Sequence, residues 1–276
     1  MTSVRFLDTK PSWSKNSIKR ISKQIRHDEE FDAELFDQFI AHAAELIDHV
    51  TPIVVSAAED NGMRELDEER NLVHQANELG VYVLSSRPKT RGTTVEKIQR
   101  QETDLDRIDD IAGIRIDAAI TLTQQRGLAN ALKERLIQEG ANRATVKEHL
   151  EEPNSGYRAL HVIGEFPAGR VEIQIRTALQ SLWANTYEVL ADDIGRCIRY
   201  GDWESLDLPA NRKRVKLLHD LSDIIYAFEK AVDHFKHLGR ESIAQKEAEE
   251  IEQRRTEIVR NIEELLGSMR PDVPTY

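Results

Sequence analysis

Three short runs rich in β-branched residues lie in the middle of the chain, and they constrain its fold more than any other feature. They are IAGIRI at 111–116, RALHVIGEF at 158–166 and RVEIQIRT at 170–177. Runs of this length and composition are typical of β-strands. The residues at 167–169, Pro-Ala-Gly, separate the last two runs and predict a hairpin turn. The chain therefore contains a β-sheet, which the remaining segments have to cover.

Helical periodicity flanks these runs on both sides. Apolar residues recur at three- and four-residue steps between Leu35 and Val50, which predicts a helix there. The segment LTQQRGLANALKERLIQEG lies between the first and second runs and is also helical in pattern. It stops at Gly140, a residue type that favours the end of a helix.

Two further helices are predicted beyond residue 205. The first carries a broad apolar stripe that ends at Gly239. The second is highly charged, and its narrow stripe suits packing either on the preceding helix or on a second subunit. The stripe of the first consists of Leu217, Leu218, Leu221, Ile224, Ile225, Phe228, Val232, Phe235 and Leu238, and that of the second of Ile251, Ile258, Ile262 and Leu265.

Together these patterns predict an α+β fold in which helices sandwich a sheet. We divide the chain into an N-terminal helical region at 1–79, a sheet-containing core at 80–204 and a C-terminal helical extension at 205–276. The chain has 276 residues, of which 39% are hydrophobic and 32% charged, so it can bury such a core and still stay soluble.

Composition and charge limit the classes of function. No run approaches the roughly 18 apolar residues of a membrane span, and the N-terminus has no apolar signal region. Cys197 is the single cysteine, which excludes an intrachain disulfide and a cysteine metal cluster. We therefore expect a cytoplasmic protein with no membrane partner. The net charge of −11 argues against broad adhesion to nucleic acid.

Positions 85–100 form a basic stretch within this acidic chain. Five basic residues stand there against one acidic residue, Glu96. Such a concentration indicates a small polyanionic ligand such as a nucleotide triphosphate, although the start of a solvated charged helix has the same composition. The five residues are Arg87, Lys89, Arg91, Lys97 and Arg100.

Two carboxylates are the candidate metal ligands. The chain has no GxxxxGK[ST] loop, no GxGxxG after a strand, no HExxH and no CxxC. Asp110 opens the first predicted strand and Glu172 lies in the third, and carboxylates on adjacent strands can converge on Mg²⁺ beside substrate phosphates. Glu172, Gln174 and Arg176 share one face of their strand. That face is either a phosphoryl-transfer surface or an ordinary half-exposed one.

The segment NSGYRALH supplies an aromatic candidate. Gly156 permits an unusual backbone angle before Tyr157, whose ring can be presented to a nucleotide base. A tyrosine beside a strand is more often a core residue, so the residue types alone leave both roles open.

Four segments taken in order resemble the synthetase domain of the RelA/SpoT alarmone enzymes, especially their short single-function members. They are RPKTRGTTVEK, DIAGIR, GYRALH and VEIQIRT, and the resemblance covers roughly residues 80–200. It implies a mixed β-sheet flanked by helices, related to nucleotidyltransferases. It also implies transfer of the β,γ-pyrophosphate of ATP to the 3′-hydroxyl of GDP or GTP, with AMP leaving. Catalysis would then consist mainly of alignment and charge neutralisation.

The resemblance further implies a role for each matching residue. Arg87 and Arg115 would sandwich the adenine of ATP. Thr93 stands where the family usually has serine, and it keeps the hydroxyl. Glu172 would also accept the proton of the attacking hydroxyl. The implied sites are Lys89, Thr93 and Lys97 for the ATP phosphates, Asp110 and Glu172 for Mg²⁺, Tyr157 for stacking on the acceptor base, and His161, Lys147, Gln174 and Arg176 for the rest of the acceptor site.

Three departures from the family pattern are visible. The run EHLEEPNS at 148–155 lacks the basic residue usual before the Gly-Tyr pair, and Lys147 would cover part of its role. Trp183 is followed by Tyr187 and Glu188 where the family typically has a Glu-His pair. The region before residue 80 is shorter than the hydrolase domain of long members, so we expect no hydrolysis of the alarmone.

The acceptor stays open at this point. The first choice is GDP or GTP, and the alternative is the 3′ end of tRNA, which certain toxin-like short members modify. The net charge of −11 weighs against docking of tRNA. A catalytically silent nucleotide sensor is a third interpretation, which the retained lysines and carboxylates disfavour. Pairing with an antitoxin protein and a homo-oligomer built through the C-terminal helices also stay open.

Overall fold

A six-stranded mixed sheet forms the middle of the molecule. The computed structural model describes residues 5–66, 72, 79–237 and 245–269. The strands are β1 (Arg64–Glu65), β2 (Val81–Pro88), β3 (Ala112–Ala119), β4 (Arg143–Glu148), β5 (Leu160–Glu165) and β6 (Arg170–Thr177). They lie in the order β1-β2-β3-β6-β5-β4, with β1–β2 and β3–β6 parallel and the other pairs antiparallel. The expected α+β class is confirmed.

Helices cover both faces of this sheet. Those of the described residues are α1 (Lys15–Arg26), α2 (Ala33–Asp60), α3 (Arg91–Gln101), α4 (Leu122–Gln138), α5 (Ala178–Ile194), α6 (Pro209–His237) and α7 (Gln245–Met269). Helices α4 and α5 each begin with a capping box, in which a threonine and the glutamine three residues later exchange hydrogen bonds with the backbone. These caps determine where the helices that follow β3 and β6 begin.

One face of the sheet is apolar and forms the main core. It presents Ile114, Ile116, Val162, Ile173 and Ile175, all almost fully buried. Burying each such aliphatic side chain stabilises the fold by about 1.5–3 kcal/mol. Helices α2 and α4 pack on this face. Their contributions are Phe36, Leu46 and Val50 from α2, and Leu128, Leu132 and Leu136 from α4.

Helix α2 also has the length and composition of a membrane span. An 18-residue window within it reaches a mean hydropathy of 1.2. The expectation that no segment approaches a span is therefore wrong by this measure. The evidence for a membrane segment is weak, because a core helix passes the same test, and α2 contributes residues such as Val50 and Val54 to the core under the sheet.

A second core joins the three C-terminal helices. Trp183 of α5 lies in it with Leu218 of α6 and Ile258 and Ile262 of α7, so α7 packs on α5 and α6 of its own chain. The predicted stripe of α6 is too broad, since Leu217, Ile224 and Phe235 are exposed. Only the side that faces α5 is buried. Leu238 and Gly239, the predicted end of that stripe, lie outside the described residues.

The predicted strands and turns are largely confirmed. Strand β6 has the predicted bounds, β3 and β5 lie within two or three residues of theirs, and β5 and β6 form the predicted hairpin. Helix α4 ends before Gly140, whose φ of 94° is in the left-handed region. Strands β1, β2 and β4 were missed. β1 is only two residues long, and β2 and β4 carry charged or hydroxyl side chains, so none of the three has the pattern of an apolar run.

A buried carboxyl group fastens α6 to the start of α5. Glu229 of α6 accepts hydrogen bonds from the hydroxyl of Thr177 and, at 3.0 Å, from the amide of Gln180. Thr177 and Gln180 are the two residues of the α5 capping box. Burial raises the pKa of Glu229 to about 7, although both hydrogen bonds act in the opposite direction. The protonated form is therefore favoured in the folded state.

This shift predicts a pH-dependent stability. Because the folded pKa lies above the ordinary value of 4.5, the stability that Glu229 contributes is complete below that value and is lost as pH rises through about 7. In Glu229→Gln that dependence should disappear. Between pH 5 and pH 8 the free energy of unfolding of the wild type should fall by about 2–3 kcal/mol more than that of the variant. Urea titrations at several pH values would measure both.

The matched control is Glu250→Gln, at an exposed position of α7. Its stability should follow the wild type across the pH range. Parallel curves for Glu229→Gln and the wild type would contradict the assignment.

Candidate active site

The second face of the sheet is polar across its central strands. In the registers of the four strand pairs, Ser85, Arg115, Gln174, His161 and Lys147 lie opposite one another in a single row from β2 to β4. Opposite residues in a sheet point to the same side. Strand register alone thus brings four predicted site residues together with Ser85.

The adjacent row carries Arg87, Gly113 and Glu172. Gly113 has no side chain, so space is left between the arginine and the carboxylate. Arg87 and Arg115 are diagonal neighbours on this face, at a spacing of about 7–8 Å that long side chains can bridge. Arg87 is exposed, while Arg115 is half-buried and donates to Ser85 at 3.1 Å. The two predicted adenine-binding arginines therefore stand side by side.

Asp110 lies between two lysines. Its Oδ2 is 2.8 Å from Nζ of Lys89, and its Oδ1 is 2.8 Å from Nζ of Lys97. Burial opposes ionisation of this carboxyl, but the two ammonium groups outweigh it and hold its pKa below the ordinary value. The sequence predicted that Asp110 opens β3, and this is wrong. Asp110 lies in a short 3-10 turn, Asp109–Ile111, just before that strand. The turn is what aims the carboxylate at the lysines.

The start of α3 completes a site for anions. Thr90 caps the helix, and its hydroxyl accepts from the backbone N–H of Thr93. Unpaired backbone N–H groups and the helix dipole make a helix N-terminus favourable for phosphate. Lys89 precedes this turn and Lys97 follows Thr93 by one turn, so the predicted phosphate-binding residues surround a single helix end.

Glu172 is buried in the central strand β6, where the sequence allowed a half-exposed face. Its Oε1 is 3.1 Å from Nδ1 of His161, and its Oε2 accepts from the amide of Gln174 at 2.9 Å. Burial raises the pKa of this carboxyl, and the charge of nearby Asp110 acts in the same direction. The hydrogen bonds from His161 and Gln174 outweigh both, so the pKa lies below its ordinary value. Glu172 is therefore a carboxylate.

Tyr157 and Arg176 close the inner side of the site. The hydroxyl of Tyr157 lies 3.0 Å from Nε2 of His161 and accepts from Arg176 at 3.2 and 3.3 Å. Burial raises the pKa of Tyr157, although Arg176 opposes the shift, so the phenol keeps its proton. Tyr157 is half-buried against the second core, and its hydroxyl is part of a polar network. The core position that the sequence left open is thus observed, and stacking of Tyr157 on a nucleotide base stays a prediction.

Lys147 stands at the outer edge of the site. Its Nζ is 2.7 Å from Oδ2 of Asp109, whose Oδ1 accepts from Arg170 at 2.9 Å. His149 is the first residue after this edge strand, and its ring lies 5.0 Å from that of His161. Burial is the largest cause that lowers the pKa of His149. Sequence reasoning missed both Asp109 and His149, because only the folded chain brings these residues, which flank β3 and β4, to the site.

The two carboxylates fit a magnesium ion. Mg²⁺ is usually bound by one or two carboxylates, with substrate phosphates and waters supplying its other oxygen ligands. Asp110, in the turn before β3, and Glu172, in β6, both have a pKa below the ordinary value and interact electrostatically. Among the described residues no cluster of three or more potential metal ligands occurs. Binding of Mg²⁺ by Asp110 and Glu172 stays a prediction.

The part of the chain that carries these side chains resembles known proteins. Residues 86–189 match the model of the region found in RelA / SpoT proteins. Uncharacterized proteins of Mycobacterium bovis and of Mycobacterium tuberculosis H37Rv are each 38% identical over 199 residues. The chain therefore carries a RelA/SpoT-type region at residues 86–189. The matched segment is 71% of this chain and spans 65% of the length of those relatives.

The fold is shared with a solved member of this kind. The small alarmone synthetase 2 from Bacillus subtilis superposes with a TM-score of 0.53 at 21% identity. The superposition covers 73% of this chain and 98% of that one. The mixed sheet with flanking helices is thus the architecture of a short RelA/SpoT-type synthetase domain, as the sequence segments predicted.

Within this RelA/SpoT-type region, Gly156 fixes the position of Tyr157. Its φ is 80°, and a Cβ placed there would lie 2.7 Å from Cζ2 of Trp183 and 3.2 Å from the ring of His219. Its carbonyl accepts from Ser222 of α6 at 2.5 Å. Both the backbone angle and the close approach to Trp183 therefore require glycine.

Gly156→Ala should lower the free energy of unfolding by about 2 kcal/mol or more, because it combines a strained backbone with a steric clash. Gly127→Ala is the matched control, since Gly127 lies in α4 and a Cβ added there would meet no atom within 4 Å. The control should stabilise the fold by about 0.5–1 kcal/mol. Chemical denaturation of the two variants gives both values, and equal stability of the pair would refute the packing argument.

Proposed function

We propose that this protein is an ATP-dependent pyrophosphokinase that transfers the β,γ-pyrophosphate of ATP to the ribose 3′-hydroxyl of GDP or GTP, forming the alarmone and AMP. The observation that carries the proposal is the Lys89–Asp110–Lys97 cluster at the N-terminus of α3, beside the buried carboxylate of Glu172. The match of residues 86–189 to the RelA/SpoT region supports the same reaction class.

The donor side follows from charge and shape. Lys89 and Lys97 are held close to the N-terminus of α3 by Asp110 until a triphosphate offers stronger partners. Arg87 and Arg115 are placed to receive the adenine between their guanidinium planes. Adenine and triphosphate would then be fixed by adjacent parts of one surface, which orients the β-phosphate.

The acceptor side follows from the position of Glu172. As a carboxylate in the middle of the polar face, it can take the proton of the attacking 3′-hydroxyl. Tyr157 would stack on the acceptor base, with Lys147, Gln174 and His161 around it. Asp110 and Glu172 would hold Mg²⁺, which when bound neutralises charge on the phosphates. The protein's own work is to align the hydroxyl oxygen with the β-phosphorus and to bind the departing AMP.

Loss of the proposed base should stop transfer. Glu172→Gln keeps the shape of the side chain but cannot accept the proton, so turnover should fall by at least about a hundredfold. Glu134→Gln, on the exposed side of α4, is the control and should retain wild-type turnover. Initial rates of AMP release with GDP as acceptor would measure both. Near-normal turnover of Glu172→Gln would remove this residue from the mechanism.

The donor and the acceptor can be separated with ATP labelled at the γ-phosphate. Offered GDP, GTP or deacylated tRNA, the wild type should place the label in a small guanine nucleotide. Lys97→Ala should lose transfer to every acceptor, because it removes a phosphate ligand of ATP. Lys133→Ala, at an exposed position of α4, is the control and should keep transfer to the acceptor.

Label found in tRNA alone would overturn the choice of a free nucleotide, and the net charge of −11 argues against that outcome. Salt gives an independent check. A tRNA acceptor would lose activity steeply as salt rises, whereas a nucleotide in a small pocket would respond weakly.

A further inference from the structure

Five side chains on the polar face form a closed ring of hydrogen bonds. Two arms of this ring run from Arg176 to Glu172. Arg176 donates to the hydroxyl of Tyr157, which lies 3.0 Å from Nε2 of His161, and Nδ1 of His161 lies 3.1 Å from Oε1 of Glu172. In the second arm, Arg176 donates to Oε1 of Gln174 at 3.0 Å, and Gln174 donates to Oε2 of Glu172 at 2.9 Å.

The direction of every bond in this ring is determined by Arg176. A guanidinium can only donate, so the lone pairs of the Tyr157 oxygen are occupied and the phenol proton is directed to Nε2 of His161. That nitrogen then accepts, which leaves the imidazole proton on Nδ1, facing Glu172. In the other arm, the amide oxygen of Gln174 faces Arg176, so its NH₂ group faces Glu172. Both arms therefore deliver a donor to the same carboxylate.

Two of the five side chains are shielded from water, and Tyr157, His161 and Gln174 are half-buried. Arg176 and Glu172 are 4% and 6% exposed, and Glu172, Gln174 and Arg176 alternate along a single strand. Breaking one link would leave a buried donor or acceptor without a partner, which costs free energy. A single orientation of the carboxylate is thereby favoured over its rotamers. The remaining lone pairs of its two oxygens stay available for a proton or a metal.

We propose that this ring positions Glu172 for proton abstraction, and that the hydroxyl of Tyr157 and the amide of Gln174 act in the reaction as positioning groups. This inference rests on the proposed function and deepens it. Tyr157 would have two separable roles, in which its ring meets the acceptor base and its oxygen orients the catalytic base through His161. Supporting hydrogen bonds of this kind typically contribute about 10–100-fold in activity.

Tyr157→Phe separates the two roles, because it removes the oxygen and keeps the ring. The turnover number should fall about tenfold or more, while the KM values for ATP and for the guanine nucleotide should stay within about twofold of the wild type. Gln174→Met breaks the other arm and should lower turnover in the same way. Tyr200→Phe, at an exposed tyrosine, is the control and should change neither constant.

The opposite pattern would overturn the inference. If Tyr157 is only a stacking surface, Tyr157→Phe keeps the wild-type turnover number and Tyr157→Ala raises the KM of the acceptor. A wild type that transfers pyrophosphate to no acceptor would instead refute the proposed function. The ring of hydrogen bonds can also be tested without measuring activity.

That test is the proton NMR signal of Nδ1–H of His161. A proton held between this nitrogen and a buried carboxylate should give a low-field resonance that is absent in His161→Asn and displaced in Tyr157→Phe. Tyr200→Phe should leave it unchanged. A spectrum without such a resonance, or one that Tyr157→Phe leaves untouched, would show that the ring does not fix the imidazole.

Discussion

The polar face of the sheet depends on two opposite charges that are buried in one strand, β6. β6 has apolar residues on one face, which join the main core, and Glu172 and Arg176 on the other, both nearly inaccessible to solvent. A buried charge is tolerated only when hydrogen bonds and an opposite charge compensate its lost hydration. Gln174 lies between the two and bonds to both. Every neighbouring strand then has to present polar groups to the same face, and this requirement creates the site.

The helices close one end of that face and leave the other open. Helix α5 continues directly from β6, and Glu229 of α6 bonds to its first turn. Arg158, in the segment that carries Tyr157, donates to Ser222 of α6 at 3.1 Å. The C-terminal helices thus hold the inner wall of the site. At the opposite end, the turn with Asp110 and the start of α3 remain accessible, so both substrates would enter from that side.

The sequence could predict those features that are local or strongly apolar. The bounds of β6, the hairpin at 167–169 and the end of α4 follow from residue types a few positions apart, and all three are confirmed. Most candidate site residues were found through four short segments, and the structure brings them to the polar face of the sheet and to the adjacent start of α3. Whether each performs its assigned role stays a prediction.

Other features depend on contacts that are distant in the chain. The burial of Glu172 and the pairing of Asp110 with two lysines arise from strand register and from a 3-10 turn, which residue types do not reveal. His149 was overlooked for the same reason. The exposed positions of α6, such as Leu217, were misjudged because an apolar stripe shows which residues can be buried, and only the neighbouring helices determine which ones are.

The edge strand β4 has a consequence for the solubility of the protein. An edge strand exposes unpaired backbone groups that can recruit a strand from another molecule, and charged side chains are the usual protection. On β4 this protection consists of Arg143, Lys147 and Glu148, all exposed, with Glu148 tied to Arg126 by an ion pair at 2.5 Å. Lys147 is also one of the residues predicted for the acceptor site. Replacing it with an apolar residue to alter acceptor choice would remove a barrier to edge-to-edge aggregation.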